Sequence, residues 1–227
     1  MCKLYFYKLC ERIIKHLHTN IKNIMFSKVY KGVDYSGINI VFPEFDKNKP
    51  LCIFGILNNE LGKHIAEEML GWLIEKYNVI CVYQNPPGQL YEYPALRFAQ
   101  YFVTHSNKYD YCLYIHTKGA GCPNELQSRI RNMWKSEFCT EKYKSYIDAV
   151  SDKDNPIVAC PFVGPDRQTW FNAFFANKKA WDDLDTIKPT DRYWFECMWR
   201  NYKNTKLVGI IKDQIDAQYL GKFIINY

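Results

Sequence analysis

The fold is decided by three apolar runs, LCIFGIL at residues 51–57, VICVY at residues 79–83 and YCLYI at residues 111–115. None of the three contains a charged side chain. Continuous apolar runs of this length are typical of strands that are buried on both faces of a parallel sheet. The segments between them have the length of helices, so strand and helix alternate along the chain.

The same alternation continues after the third run. A polar connector at 43–50 precedes the three strands. The sequence predicts five helices: from a turn at 58–59 to about 77, over 93–105, over 124–150 (long or broken), over 172–184 and over 191–202. It predicts two further strands, at 157–160 and 206–211. We therefore expect an α/β fold with a mostly parallel sheet and helices on both faces.

The composition fits a globular protein, because 48% of the 227 residues are hydrophobic and 24% are charged. The formal net charge is +6. Residues 1–31 hold seven basic residues and one acid, which accounts for all of this charge. The remaining residues are neutral as a set, so a nucleic-acid interpretation of the basic charge applies only to the N-terminal segment or to a local patch.

The N-terminal segment has the pattern of a basic amphipathic helix over residues 4–25, with apolar residues on one face and lysine and arginine on the other. Such a helix either packs on the domain with its charged face in water or docks on an anionic membrane surface. We expect a helical arm and connector at residues 1–49 and an α/β domain at residues 50–227.

The cysteines indicate a reducing compartment. The chain has nine of them, and no pair has the C-x-x-C spacing of a zinc ribbon or a thioredoxin motif. Four lie inside separate apolar runs, where reduced cysteines behave as small hydrophobic residues: Cys52, Cys81, Cys112 and Cys160. The sequence contains no apolar stretch of about 18 residues and no signal-peptide core. We therefore expect a cytoplasmic protein, peripheral to the membrane if the arm docks there.

Candidate ligand-binding residues follow the predicted strands, because open α/β sheets bind ligands at the carboxyl ends of their strands. Asn58 and Asn59 follow the first run, and His116, Thr117 and Lys118 follow the third, with glycines at 119 and 121. A lysine beside a glycine-rich turn suits a phosphate group. The alternative is that the lysine and histidine simply face solvent. The patterns of P-loop and dinucleotide-binding sites are absent.

These residues carry a resemblance. The chain resembles glycosyltransferase-like proteins, mostly bacterial and viral, that combine a strand ending in His-Thr-Lys-Gly with two later motifs. The resemblance covers roughly residues 51–202. Its motifs occur in the same order here: YIHTKG at 114–119, NAFFA at 172–176, and DRYWFE at 191–196 followed by Trp199.

The resemblance implies a nucleotide-sugar-binding fold of the GT-A type. In that fold an Asp-x-Asp motif normally ends the third strand and holds Mg²⁺ or Mn²⁺, but this chain has His116-Thr117-Lys118 there. Hard cations prefer oxygen ligands. We therefore expect no required cofactor, with Lys118 and one of Arg129 or Arg131 in the electrostatic role of the metal. A divalent cation stays open as the alternative.

An inverting transferase needs a carboxylate base for the acceptor hydroxyl, and Asp191 and Glu196 are the candidates, with Asp166 as the third. Each also has a structural interpretation: Asp191 as a helix N-cap, and Glu196 as an ion-pair partner of Arg192 one helical turn away. Arg192 itself is a further candidate for donor binding. Trp170, Trp194 and Tyr83 are candidates for stacking on a base or a sugar.

The resulting functional hypothesis is a transferase that moves a sugar from a nucleotide-sugar to a glycan or a lipid-linked acceptor. Asn58 and Asn59 would hold the nucleotide, His116, Thr117 and Lys118 would meet the diphosphate, and Asn172 would position the donor or the acceptor. Two alternatives are kept: sugar transfer to modified nucleic acid, and a non-catalytic module that binds a nucleotide or a sugar.

Overall fold

The computed structural model describes residues 29–30, 33–34, 38–84, 92–121, 123–164, 167–184 and 197–211. The strands are β1 (Val29–Tyr30), β2 (Val33–Asp34), β3 (Ile38–Val41), β4 (Leu51–Leu57), β5 (Asn78–Gln84), β6 (Tyr111–His116), β7 (Ile157–Cys160), β8 (Val163–Gly164), β9 (Gln168–Thr169), β10 (Phe174–Asn177) and β11 (Lys206–Gly209). The helices are α1 (Glu60–Lys76), α2 (Tyr93–His105), α3 (Glu125–Cys139), α4 (Tyr143–Val150) and α5 (Lys178–Asp183), with 3₁₀ turns at Trp170–Asn172 and Met198–Asn201.

Seven strands form one central sheet in the order β11-β7-β10-β6-β4-β5-β3. Strand β4 pairs in parallel with both β5 and β6, and β11 pairs in parallel with β7. Strand β10 is antiparallel to both of its neighbours, and β3 is antiparallel to β5. All strands of this sheet except β3 and β10 therefore run in one direction, which confirms the predicted α/β fold with a mostly parallel sheet.

Both faces of the sheet are covered. Alternate residues of β4 belong to two separate apolar cores, with Phe54 and Ile56 in one and Leu51 and Ile53 in the other. Helices α1, α3 and α4 contribute to the first core, and α2 and α5 contribute to the second. All four β4 side chains are fully buried, so the uncharged character of the run at 51–57 reflects burial on both sides.

The four strand cysteines are buried thiols, as predicted. Cys52, Cys112 and Cys160 are fully inaccessible. Burial raises the pKa of the Cys81 thiol to about 12. These side chains fill the core as small hydrophobic groups and are protonated at neutral pH.

The helix predicted over 172–184 is wrong in its first half. Residues Phe174–Asn177 form strand β10, inserted between β6 and β7, and only Lys178–Asp183 is helical. Phe174 and Phe175 are both fully buried, one in each apolar core. A short apolar run cannot be assigned to strand or helix by its pattern, and here the partners on both sides decide.

Most of the other predicted elements agree with the structure, but the described end of the helix predicted over 191–202 is a short 3₁₀ turn at Met198–Asn201. The segment 124–150 is the broken helix, divided into α3 and α4 after Cys139. Helix α1 begins at its N-cap Asn59, whose side chain accepts a hydrogen bond from the backbone N–H of Gly62. The last strand ends at Gly209 rather than at residue 211.

The sheet begins earlier than the expected domain boundary at residue 50, because β3 is its edge strand. The predicted amphipathic helix at 4–25 lies outside the described residues, and so do residues 191–196 of the predicted helix 191–202. In the part of the chain that the structure describes, no helix has both the length and the apolar character needed to cross a membrane.

The strand order creates a switch point between β4 and β6. From β4 the chain passes through α1 to β5 on one side, and then through α2 to β6 on the other side. Helices α1 and α2 pack on opposite faces of the sheet. The carboxyl ends of β4 and β6 therefore border the crevice in which sheets of this kind bind ligands.

Candidate active site at the carboxyl ends of β4 and β6

The ends of β4 and β6 are joined by hydrogen bonds from predicted site residues. The Thr117 hydroxyl accepts from the backbone N–H of Leu57 at 3.1 Å, and the Thr117 N–H donates to the carbonyl of Gly55 at 3.0 Å. The Asn59 side-chain amide donates to the carbonyl of Ala120 at 3.2 Å. Thr117 and Asn59 thus hold the loop after β6 in place, in addition to any contact with a ligand.

Gly55 allows the close packing behind this site. A Cβ atom at position 55 would lie 3.0 Å from the Ala95 Cβ of α2 and 3.5 Å from the Cβ of His116. The 3.0 Å distance to Ala95 is shorter than a normal contact between two carbon atoms. The glycine in β4 therefore lets the start of α2 approach the strand ends.

The loop that carries Lys118 turns back on itself at Gly119. Gly119 has φ of 92°, a left-handed conformation that glycine adopts without strain. The N–H of Ala120 donates to the carbonyl of Thr117 at 3.2 Å, which closes the turn. The Nζ of Lys118 lies 5.4 Å from the centre of the Phe171 ring, within the range of a cation–π contact.

Arg131 supports this loop from helix α3. Its Nη1 donates to the carbonyl of Lys118 at 2.9 Å, and its Nη2 donates to the Ser128 hydroxyl at 3.0 Å and lies 3.5 Å from Glu68. The arginine is buried. Its guanidinium contacts the protein and supports the backbone of Lys118, and the expected contact with the donor stays a prediction. Arg129, the other candidate, forms an ion pair with Glu125 on the exposed side of α3.

His116 is the last residue of β6 and is buried. Its ring packs edge-on against Trp134, with the ring centres 5.4 Å apart. Its Nε2 lies 3.2 Å from Oε1 of Glu92. Burial, followed by the nearby charge of Lys118, lowers the pKa of His116 well below its usual value, although a hydrogen bond with the Asn172 backbone acts in the opposite direction. The imidazole is therefore neutral at pH 7.

Glu92 is the site residue that sequence reasoning missed. It immediately precedes α2, and its side chain makes no capping hydrogen bond to that helix. Instead, Oε1 faces His116 and Oε2 accepts a hydrogen bond from Nδ2 of Asn172. The negative charge of Glu92 also raises the pKa of Tyr114, after the larger effect of burial. Since no motif surrounds Glu92, the sequence carried no signal for this role.

Asn172 reaches the site through an unusual backbone. Phe171 and Asn172 have φ of 63° and 55°, in the left-handed region that few side chains favour. The Asn172 side chain is buried, and its Oδ1 has no hydrogen-bond partner among the described residues. A left-handed backbone at a residue such as Phe171 is strained and is found often at functional sites, and an unsatisfied buried oxygen such as Asn172 Oδ1 is consistent with a partner supplied by a ligand.

Of the remaining candidate residues, three lie in the described part of the chain and the others do not. Asn58 stands at the end of β4, and its N–H donates to the carbonyl of Gln84 at the end of β5. Trp170 and Tyr83 are half-buried and pack against the first apolar core, the one that contains Phe54 and Ile56. Five candidates lie outside the described residues: Asp166, Asp191, Arg192, Trp194 and Glu196.

The donor atoms described at this site include one carboxylate, that of Glu92. Mg²⁺ and Mn²⁺ prefer several oxygen ligands, and the triplet His116-Thr117-Lys118 offers no carboxylate. The carboxylate of Glu92 contacts His116 and Asn172. Within the described segments, no group of three histidine, cysteine, aspartate or glutamate side chains is arranged to hold a metal ion.

The geometry places a cation, a neutral imidazole and a carboxylate near the carboxyl ends of the parallel strands. Lys118 can attract an anion, the turn at Gly119 brings backbone close to it, and Glu92 can accept hydrogen bonds from hydroxyl groups. Comparison of the chain with protein-family models, with curated proteins and with solved structures found no match. The functional argument therefore depends on the residues and on their arrangement.

Proposed function

We propose that this chain is a glycosyltransferase of GT-A-like fold that moves a sugar from a nucleotide-sugar to a glycan or a lipid-linked acceptor. The observation that carries the proposal is the position of the Lys118 loop at the switch point between β4 and β6. Nucleotides bind at this point in open α/β sheets. The resemblance of the three sequence motifs to glycosyltransferase-like proteins supports the same assignment.

The donor diphosphate is assigned to Lys118 and to the backbone of the turn that follows it. Arg131 holds the Lys118 carbonyl, so the cation is attached to a supported backbone. A positive group at this place stabilises the charge that develops on the leaving diphosphate. We assign the nucleotide to Asn58, with Asn59 in a supporting role. The Asn59 side chain also binds the protein, since its Nδ2 donates to the Ala120 carbonyl and its Oδ1 accepts from the Gly62 N–H.

In the proposed reaction, the acceptor oxygen attacks the anomeric carbon of the donor sugar. The bond from that carbon to the diphosphate oxygen breaks, and the nucleoside diphosphate leaves with the electron pair. The proton of the acceptor hydroxyl passes to a carboxylate base. We propose Asp191 or Glu196 for this role, with Arg192 near the donor; all three lie outside the described residues.

The proposal includes no required metal, because the donor atoms in the His116-Thr117-Lys118 segment suit an anion better than a hard cation. It also includes a cytoplasmic location, with residues 4–25 docked on anionic lipid near a lipid-linked acceptor. The strength of such docking would fall with salt, since it depends on exposed charges.

Ligand-dependent thermal unfolding tests the donor site. UDP or GDP, supplied at about 100 times its Kd, is expected to raise the melting temperature by roughly 5 °C or more, since a ligand that binds only the folded state stabilises it. The Lys118→Ala variant should lose this shift. Lys153→Ala is the matched control, because Lys153 forms an exposed ion pair with Asp110 near the opposite edge of the sheet.

Three outcomes contradict parts of the proposal. Absence of a shift with UDP, GDP and their sugar conjugates overturns the nucleotide-sugar site. Binding that excess chelator abolishes and Mn²⁺ restores overturns the metal-free form. Binding without transfer or hydrolysis of any bound sugar nucleotide identifies a non-catalytic module instead of an enzyme.

A further inference from the structure

A second functional group stands beside the Lys118 loop, formed by Glu92, His116 and Asn172. The two carboxylate oxygens of Glu92 each have a named partner, His116 Nε2 at 3.2 Å and the Asn172 side-chain amide. The Glu92 side chain is 22% exposed, whereas the His116 side chain is 9% exposed. The histidine and asparagine thus form the buried wall of the group, and the carboxylate reaches its open side.

The purpose of this arrangement is not the capping of α2. Glu92 makes no side-chain hydrogen bond to the first turn of the helix. The asparagine that orients the carboxylate is held in a left-handed conformation, with its Oδ1 unpartnered among the described residues. A protein that needed only stability would gain more from an ordinary cap and an unstrained backbone.

The same backbone segment positions Lys118 and Glu92. The ring of Phe171 lies under the Lys118 ammonium, and the next residue, Asn172, donates to Glu92. A cation and a carboxylate are therefore held by two successive residues. His116 connects them from the other side, since it contacts Glu92 and lies close enough to Lys118 for that charge to lower its pKa.

We propose that Glu92 is a specificity-determining residue that accepts hydrogen bonds from hydroxyl groups of the donor sugar. This inference rests on the proposed function. The diphosphate is attracted to Lys118 and repelled by Glu92, so the two charges orient the donor with its phosphates at the loop and its sugar at the carboxylate. A carboxylate has about four lone-pair sites and so can accept from a sugar in addition to its protein partners. The partners His116 and Asn172 hold it in place before the donor binds.

The test compares nucleoside diphosphates with nucleotide-sugars. Titration calorimetry of the full chain would measure the affinities for UDP, GDP, UDP-glucose, UDP-galactose and GDP-mannose. A hydrogen bond to a charged group is strong, so Glu92→Gln is expected to weaken binding of the preferred sugar conjugate roughly 10- to 100-fold. Its affinity for the matching nucleoside diphosphate should not fall, because the substitution removes a charge that repels the diphosphate.

Two further variants complete the design. Glu141→Gln is the matched control, because Glu141 is a 72% exposed glutamate that pairs with Lys144, and it should change neither affinity. Glu92→Asp keeps the charge but shortens the side chain by one methylene, so it should lose about tenfold for the sugar conjugate. If Glu92→Gln fails to fold, this conservative variant decides the question.

The outcomes separate the two proposals. Equal affinity of wild type and Glu92→Gln for the sugar conjugate overturns the assignment of Glu92 and leaves the nucleotide-sugar site intact. Equal losses for the conjugate and for the nucleoside diphosphate also overturn it, because they indicate a structural role. Absence of any binding to the wild-type chain overturns the proposed function, and the assignment of Glu92 with it.

Discussion

Two buried asparagines stand at the two ends of strand β10, and they differ in almost every physical respect. Asn177 ends the strand with an ordinary φ of −79°. Its Oδ1 accepts from the backbone N–H groups of Ile157 and Ala180, and its Nδ2 donates to two backbone carbonyls. Asn172 precedes the strand with a left-handed φ of 55° and an unpartnered Oδ1 among the described residues.

The difference follows the direction of the sheet. Because β10 is antiparallel to β6, Asn172 lies at the carboxyl ends of the parallel strands and Asn177 lies at their amino ends. The amino-end asparagine satisfies all of its hydrogen-bonding capacity inside the protein, which is typical of a structural residue. The carboxyl-end asparagine leaves capacity unused and orients Glu92, which is typical of a residue kept for a ligand.

Alanine substitution of each asparagine is expected to give the largest difference between the two positions, measured as the free energy of unfolding. Asn177→Ala removes the cap of α5 and leaves buried N–H and carbonyl groups without partners, so we expect a loss of about 2–4 kcal/mol in the free energy of unfolding. Asn172→Ala should lose only about 1 kcal/mol, mainly because alanine disfavours the left-handed backbone. Urea unfolding followed by tryptophan fluorescence measures both. Equal losses, or a larger loss at position 172, would contradict the contrast.

Two glycines of the Lys118 loop provide a smaller test at the carboxyl edge. Gly119 has φ of 92°, and a Cβ there would lie 2.8 Å from the Cβ of Gln127. Gly119→Ala should therefore lower the free energy of unfolding by about 1–2 kcal/mol and weaken binding of UDP or GDP. Gly121→Ala is the matched control, because a Cβ at position 121 meets no atom within 4 Å. A change of similar size in both variants would show that the turn at Gly119 has no special role.

The pH dependence of stability is expected to give the smallest effect. The pKa of His116 is lowered in the folded protein, first by burial and then by Lys118. The unfolded chain, with an ordinary histidine pKa near 6.5, therefore binds more protons below that pH, and this contribution to stability is lost as the pH falls. Between pH 6.5 and 5.5 the loss should be about 1 kcal/mol. The His116→Gln variant should not show this loss of stability. Identical dependence of stability on pH in the wild type and in the variant would contradict the assignment to His116.

Local pattern was sufficient for the elements that lie deepest in the fold. The run at 51–57 forms β4 with the predicted bounds, and the helix predicted at 93–105 is α2. Strand β6 ends at His116, one residue later than predicted, and Thr117 and Lys118 follow it, since a strand that is apolar along its length ends where polar residues begin. For the same reason, the four strand cysteines are buried.

Local pattern failed where a residue's partners are distant in the chain. The NAFFA segment has the apolar content of either a helix or a strand, and only its place between β6 and β7 makes it β10. The contact of Arg131 on α3 with the Lys118 carbonyl also had no signal in the local pattern. Glu92 was not predicted, because no motif surrounds it and its partners His116 and Asn172 are distant in the chain.

The sequence by itself determined that this chain folds as an α/β domain with apolar parallel strands, and that a lysine and a glycine turn follow one of them. Periodicity, charge and turn residues act over a few neighbouring positions, and they are readable without partners. Only the tertiary structure brought Glu92 to His116 and to Asn172, which is 80 residues away along the chain. That contact depends on the order of the strands in the sheet, which arises from the packing of the whole domain and has no local signature in the sequence.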